Sequence, residues 1–514
     1  MKLLSENRLR ELVFGFFMWA ILVLFQGYQI GTETHSEFLS YSVHLKESTI
    51  LTNDLFIQSI KAAGWNEHMV SASILSFFYP FQETIVLILH ILATVGIVIG
   101  MLRLCSHFIQ NTYLSYTVVL LTLLISYNAN TGGDEMWRNS LQGASIAKAL
   151  GIWAIVLVLS DKIVKGTALT MASTLLEPII GLHLFLLFIP VFIYQVYVSQ
   201  RVPLFEAILS VFFYVLCAGV FIWSIRFSQG EQALASIANT DYISLVYKFR
   251  HPEFYHPLHF SKQGILLMLF LIPIGLVYFH QKDQRVFVML MTIVFGTFIY
   301  IGGLYQDSML IISSWWFRTM IWAKLLGFIA VAGLLEKHFL KRSIKENKRL
   351  EVFVIGSACL AAGMLFSIFQ EALPGDKPYH FSSSNLRANP ETDIALQIRE
   401  KTPKNAVFIQ PLEFTALKYY GKRASYVDFQ TLPKRRDYLP TWKQRLKEVY
   451  NIHLDLPEKG PQLKKPAYAG LISLDEDGLM RLKAKGVTHL LTYKEHHLHL
   501  RIVAGNDIYK VYEL

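Results

Sequence analysis

Long apolar runs separated by short polar loops fill the first 370 residues of the chain. About 20 apolar residues are enough to cross a bilayer as a helix, and eleven runs approach that length. Glu177, Pro178 and Gly181 interrupt the pattern between the fifth and sixth runs, where the chain could form a broken helix or a short hairpin. The pattern predicts a polytopic α-helical membrane domain over residues 1–370. The predicted spans are Leu12–Ile30, Thr84–Leu104, Tyr113–Tyr127, Ala144–Ser160, Ala168–Ile180, Leu182–Val198, Phe205–Ile225, Gly264–His280, Val286–Leu304, Trp315–Leu335 and Val352–Phe369.

Basic residues concentrate in alternate loops, and this bias predicts the orientation. Lys and Arg accumulate in short cytoplasmic loops, so we predict a cytoplasmic N-terminus in a bacterial inner membrane. The predicted cytoplasmic loops are Arg103–His107, Asp161–Gly166, Arg201, Gln281–Arg285 and Lys337–Arg349. The longer polar loops 31–80, 128–143 and 226–263 are then external. In the first of these, Leu55, Phe56, Ile60 and Ala63 predict an amphipathic helix at the membrane interface.

The composition changes after Glu371, where prolines, charges and short alternating runs replace the apolar blocks. The segments AVFIQPL, ASYVDF, THLLTY and IYKVYEL are typical of strands, and NPETDIALQIREKTP and DGLMRLKAKG of helices. Residues 371–514 are therefore predicted to form a small soluble α/β domain on the external, periplasmic side.

Composition narrows the classes of function. With 53% hydrophobic and 17% charged residues, a single soluble domain is excluded. The net charge of +10 comes largely from loop residues that set topology, so nucleic-acid binding is not expected. Cys105, Cys217 and Cys359 match no metal or redox spacing. The sequence has no Walker loop, HExxH, GxSxG or dinucleotide-binding motif in a suitable structural context. Nucleotide-driven transport and the common hydrolase mechanisms therefore have no direct support.

Acids in the first external loop are candidates for catalysis. Glu33, His35 and Glu37 follow the first span, and Asp54 opens the amphipathic segment. A carboxylate near the membrane surface could deprotonate an acceptor hydroxyl. Alternatively, the two glutamates are solvated loop charges and Asp54 is a helix N-cap.

The second loop offers a candidate metal site. Asp134 and Glu135 lie beside two glycines, where they could bind a divalent cation such as Mg or Mn, although adjacent acids are also common in turns.

The third loop and the tenth span offer candidates for substrate binding. Arg250, His251 and His256 lie among aromatic residues, where they could hold an anionic head group and a sugar ring. An interfacial aromatic belt would have the same composition. Arg318 stands just inside an apolar span, where a charge usually faces a cavity or a partner. It could bind a phosphate, or it could extend to the interface beside Trp315.

This layout resembles the GT-C superfamily of membrane glycosyltransferases, whose donors are sugars carried on polyprenyl phosphate. The segment Ile398–Pro433 resembles the one that follows the last span in uncharacterised bacterial membrane proteins of this type. The resemblance implies a sugar transfer from a polyprenyl-phosphate-linked donor to a hydroxyl of a glycan, lipid or protein on the external face.

The resemblance also implies roles for individual residues. The catalytic acid would be Glu33 or Glu37, or alternatively Asp54. Glu135 would be a second acid, and Arg318 would contact the donor phosphate, with His35 and the third-loop residues as further substrate contacts. The chain lacks the Asp-Asp, Asp-Glu or Asp-x-Asp signature that better-characterised members have directly after the first span.

Two other classes of function remain open. A transporter of a lipid-linked substrate would explain the charged residue within a span, although no internal repeat is evident. A non-catalytic scaffold or assembly subunit, with other membrane proteins as partners, would explain the missing acidic signature.

Overall fold

The computed structural model describes residues 6–31, 35–128, 131–133, 135–227, 236–340 and 389–514. The predicted eleventh span and most of the basic loop before it lie outside these residues.

The membrane part of the chain is helical in every long apolar segment that the structure describes. Its helices up to residue 227 are α1 (Glu6–Gln26), α2 (His35–Lys46), α3 (Leu55–Ala63), α4 (Met69–Phe77), α5 (Gln82–Ser106), α6 (Thr112–Asn128), α7 (Gly143–Leu159), α8 (Ile163–Leu176), α9 (Pro178–Ile193), α10 (Leu204–Tyr214) and α11 (Val220–Phe227). Those up to residue 340 are α12 (Asn239–Tyr242), α13 (Pro252–Tyr255), α14 (Lys262–Lys282), α15 (Gln284–Tyr305), α16 (Met309–Ile312) and α17 (Met320–Leu335). Four π-helical segments continue these helices at Tyr194–Val198, Val215–Gly219, Ile243–Arg250 and Glu336–Leu340.

Six helical segments in the described ranges are long and apolar enough to cross a membrane. Their bounds are Gln82–Ser106, Pro178–Val198, Leu204–Ile225, Lys262–Lys282, Gln284–Tyr305 and Met309–His338. Three shorter apolar helices, Thr112–Leu124, Gly143–Leu159 and Ile163–Leu176, also coincide with predicted spans. The fold is thus that of a helical membrane protein with a small C-terminal sheet, while the total of eleven spans stays a prediction.

The predicted cytoplasmic loops meet at one end of the helix bundle. Asp161, after α7, lies 3.0 Å from Arg285 and 3.8 Å from Arg201. The Glu336 carboxylate, after α17, accepts hydrogen bonds from the backbone N–H groups of Gln110 and Asn111 between α5 and α6. Loops that were placed on one side by charge alone are therefore neighbours in space.

The break around Glu177 separates two packed helices. Helix α8 ends at Leu176 and α9 starts at Pro178, with Glu177 in an extended conformation between them. Gly181 of α9 lies directly against Thr174 of α8. Of the two predicted alternatives, the structure shows the hairpin.

We expect Gly181→Ala to destabilise this hairpin. An added Cβ would overlap both the side chain and the backbone of Thr174, and an overpacked contact of this kind costs about 1–3 kcal/mol. Thermal unfolding in detergent would measure the effect. Gly302→Ala in α15 is the control, because its Cβ would meet no atom within 4 Å; equal melting temperatures for the two variants would contradict the prediction.

The C-terminal domain is a five-stranded mixed sheet with helices. Its helices are α18 (Pro390–Lys401), α19 (Leu439–Tyr450), α20 (Lys464–Ile472) and α21 (Glu476–Ala484), and its strands are β1 (Val407–Ile409), β2 (Ala424–Ser425), β3 (His489–Tyr493), β4 (Arg501–Gly505) and β5 (Tyr509–Glu513). The strand order is β2-β1-β3-β5-β4, with β1 parallel to β2 and β3, and β5 antiparallel to β3 and β4. The four predicted strands and two predicted helices are confirmed. Strand β4, α19 and α20 were not predicted.

Helix α3 is confirmed, but its predicted position at the membrane interface is wrong. Leu55, Phe56, Ile60 and Ala63 are at most 5% exposed and face other parts of the protein. Leu55 packs into the hydrophobic core of the C-terminal domain, and Phe56 and Ile60 pack with residues of α2. The amphipathic face is therefore covered by α2 and by the C-terminal domain.

Candidate functional site

Charged residues from three distant parts of the chain meet where the loop over residues 31–80, the first of the loops predicted to be external, contacts the C-terminal domain. Glu37 in α2 lies 2.7 Å from His68, 3.2 Å from Lys434 and 4.0 Å from Arg250. Lys434 also lies 2.9 Å from Glu67. We call Glu37, Glu67, His68, Arg250 and Lys434 the Glu37 network.

The Glu37 carboxylate is held in its ionised form. Burial alone would raise its pKa, but Lys434, His68 and Arg250 outweigh that effect and hold the pKa well below its ordinary value. Burial would likewise lower the pKa of Lys434, yet Glu37 and Glu67 raise it. Glu37 is therefore a weak proton acceptor but a strong acceptor of hydrogen bonds from charged donors.

His68 has a defined orientation in this network. Its Nε2–H donates to Glu37 Oε2 at 2.7 Å, and its backbone N–H donates to the side chain of Asn66. A neutral imidazole that donates through Nε2 has its lone pair on Nδ1. The side chain is 21% exposed, so the ring is not sealed off from solvent. A carboxylate that orients an imidazole in this way is the arrangement that makes histidine an effective general base.

Arg250 links the third loop to the C-terminal domain. Its guanidinium donates to the backbone carbonyls of Phe429, at 3.0 Å, and Gln430. Burial lowers its pKa more than Glu37 raises it. His251 stacks on Phe254 and lies 3.1 Å from Glu253. The first-loop acid and two predicted third-loop residues are thus brought together, whereas His256 caps the turn Pro257–His259 outside the network.

Asp54 is a helix N-cap, which was the alternative interpretation of this residue. It is fully buried and accepts hydrogen bonds from the backbone N–H groups of Phe56 and Ile57, so it is the N-cap of α3. It also accepts from Ser425 N–H and pairs with Lys418 at 3.2 Å. Its prediction as a catalytic base stays untested, but with these partners it does not enter our proposal.

Arg318 forms a second cluster within the membrane part. Its guanidinium lies 3.2 Å from Glu177, in the break between α8 and α9, and 4.0 Å from the centre of the Trp315 ring. His183 of α9 contacts the carbonyl of Ser314 at 2.6 Å. Trp315 has the left-handed backbone angle φ of 52°, which is strained for a bulky residue. The positive charge of Arg318 inside a candidate span is thus paired with the carboxylate of Glu177. Such pairing is expected because an unpaired charge within a membrane is energetically costly.

The remaining predicted residues have separate positions. His35 is fully buried; its Nδ1 accepts from Gly31 N–H and its Nε2–H donates to the Leu141 carbonyl, which makes it a structural link. Burial lowers its pKa to about 4. Glu135 is buried, and Lys148 of α7 donates to its backbone carbonyl. Glu33 and Asp134 lie outside the described residues, and the described part of the chain contains no group of three or more potential metal ligands.

His68, Glu67 and Lys434 were missed by sequence reasoning. They have two weak local signals. One is the polar pair Glu67–His68 before an apolar run, and the other is the basic run Lys434–Arg436 on the predicted external side.

Comparisons with known proteins give one family match. A model described as a domain of unknown function, DUF6798, matches residues 389–449. No curated protein matches the chain. The matched segment contains Lys418 and Lys434, which pair with the first external loop. The similarity therefore covers the part of the C-terminal domain that completes the Glu37 network.

Proposed function

We propose that this protein is a membrane glycosyltransferase of the GT-C type, which transfers a sugar from a polyprenyl-phosphate-linked donor to an acceptor hydroxyl on the external face of a bacterial inner membrane. The observation that carries the proposal is the Glu37–His68 pair, 2.7 Å apart, at the contact between the first external loop and the C-terminal domain. Eleven spans and a cytoplasmic N-terminus belong to the same proposal.

In this proposal His68 is the general base. Its Nδ1 removes the proton of the acceptor hydroxyl while the hydroxyl oxygen attacks the anomeric carbon and the bond to the phosphate oxygen breaks. Glu37 orients the ring and stabilises the imidazolium that forms. The sequence predicts that a glutamate is the general base. The proposal differs because the cations around Glu37 make its carboxylate a weak base.

The leaving phosphate carries negative charge, and the network supplies positive charge nearby. Lys434 and Arg250 lie 3.2 Å and 4.0 Å from the Glu37 carboxylate. Preorganised cations stabilise charge that develops in a transition state. Arg318 remains a candidate for the donor phosphate, although its pairing with Glu177 must then open or be shared.

The test is a transfer assay with the full-length protein in membranes. Undecaprenyl phosphate glucose and undecaprenyl phosphate mannose, each labelled in the sugar, are incubated with membranes that contain wild-type or variant protein. We expect wild type to incorporate label from one donor into membrane-bound material. The rate of incorporation should be lower by about 100-fold or more in Glu37→Gln. Glu513→Gln is the matched control. Glu513 pairs with Arg501 outside the Glu37 network and its side chain is 46% exposed, so we expect it to lose less than about tenfold. No transfer by wild type from either donor, or equal losses in both variants, would contradict the proposal.

One observation favours a scaffold subunit as the second candidate. The four described acids of residues 31–80 all pair with lysines of the C-terminal domain; they are Glu37, Glu47, Asp54 and Glu67. Such pairs could serve only to fix that domain on the membrane part. This alternative predicts that Glu37→Gln alters the stability of the protein without changing any transfer reaction.

A further inference from the structure

A polar pocket lies between the first external loop and the C-terminal domain. It has a volume of about 450 Å³, which is within the range of small-molecule sites. The lining residues are Glu47, Ile50, Tyr79, Arg399, Thr402, Pro403, Lys404, Lys422 and Arg423. The pocket shares no residue with the Glu37 network, so its role is a separate question.

The pocket has an excess of positive charge. Four of its lining residues are basic, against the single acid Glu47. Lys422 pairs with that acid at 2.8 Å. Three cations, Arg399, Lys404 and Arg423, remain in the lining after this pair is formed.

Arg423 is buried beside the pocket without a carboxylate among its hydrogen-bond acceptors. Its guanidinium donates to neutral oxygens, which are Thr402 Oγ1 and the carbonyls of Arg399, Thr402, Gly421 and Lys422. Burial and the neighbouring Arg399 lower its pKa. These bonds fix the position of the charge but leave it uncompensated, and a buried charge of this kind favours an anion close by. Arg399 and Lys404 are exposed at the same site, where their side chains can move to a ligand.

Exposed aromatic residues place the pocket next to the membrane surface. Tyr79 lines the pocket, and the centre of its ring lies 4.9 Å from the Lys422 ammonium. Its neighbours Phe77, Phe78 and Phe81 are 82%, 43% and 70% exposed. Helix α5, one of the candidate spans, begins at Gln82. Exposed aromatics at the start of a span are typical of the layer of lipid head groups.

From these observations we infer that the pocket binds the phosphate head group of an anionic membrane lipid, with Arg399 and Lys404 as the ligand-facing cations, Arg423 as a fixed charge behind them, and the Phe77–Phe81 segment against the acyl region. Basic pockets next to spans are known sites for such head groups. The inference does not depend on the proposed transferase activity.

Lipid binding to the full-length protein in nanodiscs tests this inference. Phosphatidylglycerol is compared with phosphatidylcholine, which carries a phosphate but no net charge, and binding is measured by native mass spectrometry. The variant Arg399→Gln/Lys404→Gln removes two charges from the pocket. The control Lys401→Gln/Lys443→Gln removes two charges from exposed positions of the same domain that are not among the pocket residues.

We expect the pocket variant to lose about 30-fold in affinity for phosphatidylglycerol, because two basic residues beside an anionic head group contribute about 2 kcal/mol together. The control variant should stay within about twofold of wild type. Equal losses in both variants would show general surface attraction and overturn the inference. If inorganic phosphate displaces phosphatidylglycerol from wild type and stabilises the protein equally well, the ligand is a soluble phosphate and the assignment to a lipid is wrong.

Discussion

Replacing Lys418 by Met is expected to lower the free energy of unfolding by about 3–5 kcal/mol. The Lys418 ammonium lies 3.2 Å from both Asp54 and Asp428, and all three side chains are at most 4% exposed. The substitution keeps an apolar stem of similar length but leaves two carboxylates buried without their cation. Removing one partner of a buried ionic group has this large effect because the remaining charge cannot be solvated.

The pH dependence should agree with this interpretation. Burial would lower the pKa of Lys418, but Asp54 and Asp428 raise it above its ordinary value. A group whose pKa is higher in the folded state contributes its full stability below the pKa of the unfolded chain, about 10.4 for lysine. The contribution is therefore complete at neutral pH and is lost as the pH rises through the higher value of the folded state.

Chemical unfolding in detergent would measure the loss, with Lys443→Met as the control. Lys443 lies at an exposed position of α19, where a substitution changes stability by about 0.5 kcal/mol or less. The triple variant Lys418→Met/Asp54→Asn/Asp428→Asn should recover part of the stability, since Asn keeps the N-cap of α3. If the single Lys418 variant is as stable as the control, the buried ion pairs do not hold the two regions together.

The helices were predictable from the sequence because the length of an apolar run is a local property. Each of the first ten predicted spans overlaps helix in the described ranges, although the fifth, Ala168–Ile180, runs across the break at Glu177. The hairpin at this break was one of two alternatives. Strand β4 was missed because its exposed Ile502 and Arg501 give it no clear alternation of buried and exposed residues. The membrane-interface position of α3 was wrong because an amphipathic pattern does not reveal whether lipid or another domain covers the apolar face.

The candidate site was predictable only in part, since its pairs are distant in the chain. Glu37 and Lys434 are 397 residues apart, and Asp54 and Lys418 are 364 residues apart. The sequence placed Glu37 and Arg250 in loops that are predicted to lie on the same side of the membrane. It could not show that His68 lies between Glu37 and Glu67, because no local spacing connects a histidine before α4 to a glutamate in α2.

His68→Ala is expected to lower the transfer rate by about 100-fold to 10,000-fold, the usual contribution of a general base. The double variant with Glu37→Gln should be little slower than the worse single variant, because residues that act as one unit have strongly non-additive effects. Independent structural damage would instead give losses that multiply. The same membrane assay with labelled undecaprenyl phosphate sugars measures all four proteins.

Rescue by free imidazole separates a base from a purely structural histidine. In His68→Ala, added imidazole should restore part of the transfer rate, because it can accept the hydroxyl proton in place of the missing ring. His256→Ala is the control, since that ring caps a short turn outside the Glu37 network, and imidazole should leave its rate unchanged. If imidazole restores no activity to the His68 variant, the base lies elsewhere, and the Glu37–His68 pair serves to hold the first external loop against the C-terminal domain.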